Sequence, residues 1–255
     1  MAHHEHAKHL NQKTVKHRRW IMTLVIFGIM MVGMAGFWAV KAYNQGQTAA
    51  LAPYPVRGCV IDQDAGMIDF QTLAKQDVNF VYLNGTTGAT YFDDSFNTNY
   101  NRIQSTNIQV GVIHNFSFQK SAKAQLKFIA RKIKSNTGQL PIAIRVNYYG
   151  ELTADKVNWK KQGPILAELV RLVANYYGQS VVIKTTPAIQ KQLNHRYIKQ
   201  SPFWIEEQAI KKRTKQRVDF VEYDRDRAFN SGRSKVELPA SYFNGTVEKW
   251  NQQTN

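Results

Sequence analysis

The stretch QGPILAELVRLVANYYGQSVVI, residues 162–183, contains both halves of the period on which this chain is built. From Gln162 to Tyr177, Ile165, Leu166, Leu169, Val170, Leu172 and Val173 recur at helical spacing and form one apolar stripe. Val181–Ile183 then reads as a short strand. Short runs rich in Val, Ile and aromatics recur on either side of it, at Gly58–Ile61, Val78–Leu83, Ile108–Ile113, Ile142–Val146 and Val218–Val221. Their unbroken apolar character predicts strands buried on both faces. A second amphipathic stretch, Ala124–Lys134, sets Leu126, Ile129, Ala130 and Ile133 against lysines and Arg131. Strand and helix alternating over about 190 residues predict an α/β fold with parallel strands, best closed as a (β/α) barrel. The chemistry of such a barrel sits at the C-terminal strand ends. Those ends carry Asp62, Asp64, Asn84–Thr87, His114–Phe116, Arg145, Asn147, Lys184 and Glu222–Asp224.

The chain has 255 residues, 43% hydrophobic and 12% aromatic, enough for a full core. Its mean hydropathy of −0.44 conceals one apolar segment. Trp20–Val40, WIMTLVIFGIMMVGMAGFWAV, holds no charge over twenty-one residues and is long enough to span a bilayer. Trp20 and Trp38 stand near its ends, where indoles favour the interface. Lys13, Lys16, Arg18 and Arg19 precede it and only Lys41 follows closely, so residues 1–19 are expected in the cytoplasm and the rest outside. An uncleaved signal anchor at 20–40 is the reading preferred. The rival is a signal peptide cut near Ala50-Leu51-Ala52, for which the apolar core is long. Residues 41–56 form a polar, alanine-rich, proline-closed linker, and the main domain covers 57–250.

A net charge of +16 divides into +5 on residues 1–41 and +11 on residues 42–255. An outward-facing tethered domain rarely meets nucleic acid, so no nucleic-acid partner is expected, and an anionic envelope accounts for the charge. The lone Cys59 excludes a disulfide framework. His3, His4, His6 and His9 read as a solvated basic tail, and neither metal nor cofactor is expected. The Lys211–Arg217 run reads as a solvated loop, with contact to teichoic-acid phosphates as the sharper alternative. Gly28, Gly33 and Gly36 offer small-residue packing surfaces in the span.

Several segments in fixed order resemble glycoside hydrolase family 25, the lysozyme-type N-acetylmuramidases. Gly58 with Gly66-Met67-Ile68-Asp69-Phe70 keeps the frame of the opening motif. Thr86-Thr87-Gly88-Ala89-Thr90-Tyr91-Phe92-Asp93 looks like the family's Thr-Glu-Gly-x-x-Tyr-x-Asp loop. Val110-Gly111-Val112-Ile113-His114-Asn115-Phe116 resembles Val-Gly-x-Tyr-His-Phe. Phe203-Trp204-Ile205 is similar to the Leu-Trp-Ile element, and Val236-Glu237-Leu238 with Phe243-Asn244-Gly245 to the closing segment. The resemblance spans about Arg57–Thr246. It implies an irregular (β/α) barrel, preceded here by one transmembrane helix, with peptidoglycan or another anionic wall glycan as partner.

The resemblance also implies an Asp-x-Glu pair on a central strand, whose two carboxylates protonate the leaving oxygen and stabilise the oxocarbenium centre. Here that segment is Leu140-Pro141-Ile142-Ala143-Ile144-Arg145-Val146-Asn147. Arginine stands for the aspartate and asparagine for the glutamate, and neither is a general acid at neutral pH. Thr87 takes the place of the loop glutamate, Lys184 that of a strand tyrosine, and Glu222-Tyr223 falls within the Trp-Gln-Tyr element. The first-strand aspartate falls on Val60 without a gap and on Asp62 with a shortened loop.

Bland readings compete for each residue. His114 can be a hydrogen-bonded structural histidine, Asp62 and Asp64 loop caps, Glu222 the partner of a neighbouring cation. Tyr91, Phe116, Trp204 and Tyr223 can be core or rim aromatics. The substrate-contact set is therefore His114, Arg145, Asn147, Lys184, Glu222, Tyr223 and Tyr91, with Asp62 as the catalytic residue only if hydrolysis persists. Alternation puts Ala143, Arg145 and Asn147 on one face, and Arg145 needs an acceptor. Asp62 is the partner expected, ahead of Glu222 and Glu237. Two function classes follow: a lysozyme-like domain, impaired in catalysis, that binds wall glycan or a partner, or an active muramidase with a relocated acid using Asp62 with Asp64, Glu222 or Glu237.

Overall fold

The computed structural model describes residues 2–210 and 217–254 and divides between Ala52 and Pro53 into two units. The first contains one helix, α1 (Ala2–Leu51). Its Trp20–Ala42 stretch has a mean hydropathy of 2.1, and none of it is buried within the protein. That stretch is long and apolar enough to cross a membrane. The helix runs on through residues 42–51 of the stretch read as linker, and Pro53 follows its end.

In the second unit β1 (Arg57–Ile61), α2 (Phe70–Ala74), β2 (Phe80–Thr87), β3 (Tyr91–Phe92), α3 (Phe96–Ile103) and β4 (Gln109–Asn115) come first. They are followed by α4 (Ala122–Ile133), β5 (Ile142–Val146), α5 (Trp159–Tyr177), β6 (Val181–Thr185) and α6 (Pro187–Leu193). Next come β7 (Phe203–Glu206), β8 (Val218–Ser231), β9 (Ser234–Phe243) and α7 (Val247–Thr254). Parallel pairing runs β1–β2–β4–β5–β6–β7–β8, and β9 closes the ring antiparallel to both β8 and β1. The result is an eight-stranded (β/α) barrel made irregular by its antiparallel closing strand, with no helix among the described residues between β7 and β8.

Local chemistry explains the boundaries. Ser121 caps α4 by accepting from the Ala124 amide at 3.3 Å. Gly178 ends α5 in the left-handed region at φ 65°, its amide reaching the Ala174 carbonyl at 2.9 Å. The apolar face of α4, including Phe128, Ile129 and Ile133, is buried, as are Leu166, Leu169 and Val173 of α5.

The sequence reading found six of the barrel strands and left out β7 and β9. β7 has only four residues, and Pro239 interrupts the β9 pattern. Both form because neighbouring strands supply hydrogen-bond partners that no local window contains.

Inside the ring, period two stacks two layers. Tyr82, Ile113, Ala143, Val182, Trp204 and Phe220 make an apolar plug, closed below by Phe80, Phe243 and Trp250. Tyr82 and Trp204 lie 4.7 Å apart between ring centroids. Gly111 makes room for this packing, since a Cβ there would stand 2.4 Å from the Tyr82 ring. The Tyr82 hydroxyl donates to the Pro141 carbonyl at 3.0 Å and the Trp204 indole to Ser241 Oγ at 3.1 Å, so the plug leaves neither donor unpaired.

Candidate functional site

Two residues beyond each plug position the strands turn polar: Asn84, Asn115, Arg145, Lys184, Glu206 and Glu222 follow Tyr82, Ile113, Ala143, Val182, Trp204 and Phe220. The i, i+2 alternation of a strand points both members of each pair the same way, so the polar layer sits on the plug at the C-terminal mouth. A cleft of about 360 Å³ opens there, lined by Val60, Asp62, Asn84, Asn115, Arg145 and Lys184 among others, with Glu222, Arg225 and Pro239 from β8 and β9 on its flank.

The layer is a linked set of ion pairs. Arg145 Nε donates to Glu206 Oε1 at 2.9 Å, and Asn147 Nδ2 to Glu206 Oε2 at 2.8 Å. Lys184 Nζ lies 3.1 Å from Glu206 Oε1 and pairs also with Glu222 Oε2. Its ammonium sits 4.4 Å from the centre of the Trp204 ring. Lys184 and Glu206 side chains are each only 2% exposed, whereas Arg145 is 40% exposed. A lysine so buried is tolerated because two carboxylates and an aromatic face replace its hydration. Burial pushes the Glu206 carboxyl up, but Lys184, Arg145 and the Asn147 amide outweigh it and hold the carboxyl at about 2. It is ionised at any physiological pH and has no proton to give. Asn147 Oδ1 is buried with no hydrogen-bond partner among the described residues.

Arg145 therefore pairs with Glu206, not with Asp62 as the sequence suggested. Glu206 was absent from the candidates because β7 was not read as a strand. The signal was present: Trp204 and Glu206 are two apart, so an inward tryptophan brings the glutamate inward too. Glu237 is exposed on β9 opposite Ala228 and does not line the cleft.

Other expectations fare differently. Asp62 lines the cleft, as does Val60, so both alternatives for the first-strand position face the mouth. Asp62 Oδ1 also caps the short 3₁₀ turn Gln63–Ala65 by accepting from the Asp64 amide at 3.1 Å. No cation lies within ion-pair distance of it among the described residues. Lys184 and Glu222 line the cleft as one buried pair.

His114 does not reach the cleft. It is fully buried next to α4, where its Nε2 donates to Gln125 Oε1 at 3.1 Å and its Nδ1 accepts from Thr86 Oγ1 at 2.8 Å. Period two explains this, because Ile113 and Asn115 point inward and His114 must point out. Burial, opposed by the Gln125 bond, lowers its pKa to about 4 and keeps it neutral. Tyr223 is buried against Tyr242 and accepts from Arg227 Nη1 at 2.8 Å, so it is not a mouth residue. Tyr91 is exposed on β3, beside Asp93, Asp94, Asp64 and Asp62 and outside the cleft lining. Phe116 and Trp204 are core. The Lys211–Lys215 cations lie outside the described residues. Among the described residues no group of three His, Cys, Asp or Glu side chains could hold a metal.

A (β/α) barrel with an apolar plug and a charged cleft at the C-terminal strand ends is the class of protein that fold and site define. The profile of the glycosyl hydrolases family 25 matches residues 61–229, and the chain belongs to that family. A family 25 glycosyl hydrolase from Bacillus anthracis superposes with a TM-score of 0.73 at 20% identity, covering 80% of this chain and 95% of its own. A lysozyme from Streptomyces coelicolor gives 0.67 at 19% identity, over 78% and 97%. A muramidase from Acremonium alcalophilum gives 0.66 at 20%, over 78% and 99%. At these identities the likeness establishes the fold. No curated protein matches the sequence.

Proposed function

We propose that this chain is a membrane-anchored family 25 domain that faces the cell exterior, engages peptidoglycan glycan at the barrel mouth and is impaired in hydrolysing it. One observation carries the reading. Arg145 and Asn147, at the positions where the resemblance expects two carboxylates, are both bonded to the buried Glu206. Glycoside hydrolysis needs one carboxyl that can donate a proton and a second facing it across the bond. Glu206 is held ionised, and Glu222 is ion-paired with the buried Lys184. Loss of a positioned acid alone costs roughly 10²–10⁴-fold. What remains suits recognition. Arg145 lines the cleft and donates to Glu206 through Nε, which leaves its terminal nitrogens for a ligand. Arg225 adds a second guanidinium, whereas Asn115 Nδ2 is taken up by Asn84 Oδ1 and Thr87 Oγ1. That set fits the carboxylates and N-acetyl groups of a wall glycan. The anchor, the basic tail before it and the bacterial relatives support a Gram-positive-type envelope.

Family membership favours a second reading, a working muramidase with a relocated acid, since the relatives are named lysozymes and muramidases. Asp62 and Glu222 line one cleft and are the pair available for it, whereas Asp64 and Glu237 do not line it. Turbidity clearing of purified cell walls by the full chain, followed by reducing-end analysis, separates the two. Absence of new reducing ends together with wall sedimentation of the protein supports the first. Clearing that Asp62→Asn abolishes and Arg145→Ala preserves establishes the second.

A further inference from the structure

Residues 95–150 contain eight Lys or Arg and not one Asp or Glu. Six of the eight, Lys120, Lys123, Lys127, Arg131, Lys132 and Lys134, belong to α4 or its ends. Lys123, Lys127 and Arg131 are exposed and stand four residues apart, so they follow one another along a single face at about 6 Å of rise. Exposed Lys120 and Lys134 extend the row at either end. None of these six has a carboxylate within ion-pair distance among the described residues. Like charges four apart destabilise a helix, and cations at its N-terminal end oppose the helix dipole. Arg131 and Lys132 in the last turn suit the dipole and lie over the Phe128 and Phe92 rings. Lys120, Lys123 and Lys127, however, work against the end of the helix that carries them, and folding gives no reason for those three.

We propose that this face of α4 docks a linear phosphodiester polymer of the cell envelope. A row one residue wide fits a chain of phosphates better than a compact ligand, and Lys and Arg are the residues for that chemistry. A bilayer surface is the poorer occupant. A helix that lies in a membrane inserts an apolar face, but the apolar face of α4 is buried against the barrel. No large hydrophobic residue is exposed on its outer side. Helices of such barrels begin at the mouth, so the row starts at the rim with Lys120 and leads down the outer wall. A glycan in the cleft and a polyanion on α4 can thus be held together. The proposal rests on the envelope location and not on whether the cleft hydrolyses anything, so wall-clearing results leave it untouched.

The test uses the full chain in nanodiscs of zwitterionic lipid, with fluorescent polyglycerolphosphate as probe and neutral dextran as control. Lys123→Gln with Lys127→Gln and Arg131→Gln should weaken polymer binding about tenfold at low salt and flatten its salt dependence. The swap Lys123→Arg, Lys127→Arg and Arg131→Lys should retain it. A charge-matched control, Lys75→Gln with Lys191→Gln and Lys235→Gln, should change it by less than about twofold if position matters. Equal losses in the two glutamine variants would reduce the effect to net charge and overturn the proposal. Binding to phosphatidylglycerol vesicles without binding to the polymer would overturn it in favour of a lipid surface.

Discussion

Arg145 Nε lies 2.9 Å from Glu206 Oε1, joining β5 to β7 across β6, the strand that contributes Lys184. Two cations, on β5 and β6, are thus followed by two carboxylates, on β7 and β8, at the level where a glycosidase needs an acid and a nucleophile. The pairing neutralises that level from within.

Removing the shared acceptor should be costly. Glu206→Ala leaves Lys184 with one partner and frees Arg145 and Asn147, and breaking a buried pair in this way costs roughly 3–5 kcal/mol. Glu206→Gln should cost less, because its amide oxygen still accepts from one cation. Thermal melts of the purified protein check the order, and an unchanged Tm in Glu206→Ala would show that the network does not support the fold.

Restoring the family pair must also remove the residue that replaced it. Arg145→Asp with Asn147→Glu alone would add two carboxylates to Glu206 and Glu222, leaving four around the single cation Lys184. The triple variant that adds Glu206→Ala should produce detectable reducing ends from purified walls, where the wild type produces essentially none. A wild type that clears walls robustly would contradict this expectation.

Acid sensitivity should appear in two steps. The His114 pKa is depressed to about 4 against an unfolded value near 6.5, so its contribution is complete above pH ~6.5 and lost as pH falls towards 4. The shift corresponds to about 3 kcal/mol. Glu206, lowered to about 2, contributes above pH ~4.5 and loses that contribution as pH falls towards 2. Denaturant melts between pH ~7 and ~4 should show the first slope, and His114→Gln should flatten it while leaving the second.

Orientation is checked on intact cells. Protease added to spheroplasts should digest the barrel while a tag on residues 1–19 survives. Protection of the barrel would reverse the topology, and with it the glycan reading.

Binding by the cleft should respond to ionic strength. Arg145→Gln should weaken retention on purified walls several-fold at low salt and less at high salt, because a half-exposed guanidinium is screened. Salt-independent binding to neutral chitin oligomers would point to aromatic stacking instead.

The amino-acid sequence by itself determined the alternation of strands and helices, the apolar span and the substitution of both expected carboxylates. Each of these is written in local periodicity or in residue identity: period 2 or 3.6, a run without charge, Arg145 and Asn147 two apart. The family frame was legible for the same reason, through short motifs in fixed order. Tertiary structure alone decided which residue answers Arg145. Glu206 lies sixty-one positions away on a four-residue strand, and closure of the barrel brings it beside β5. Tertiary structure also moved His114 out of the site, since which side of a strand faces the barrel axis depends on register with its neighbours. Long-range pairing chooses between inward and outward, and a one-dimensional pattern has no means of making that choice.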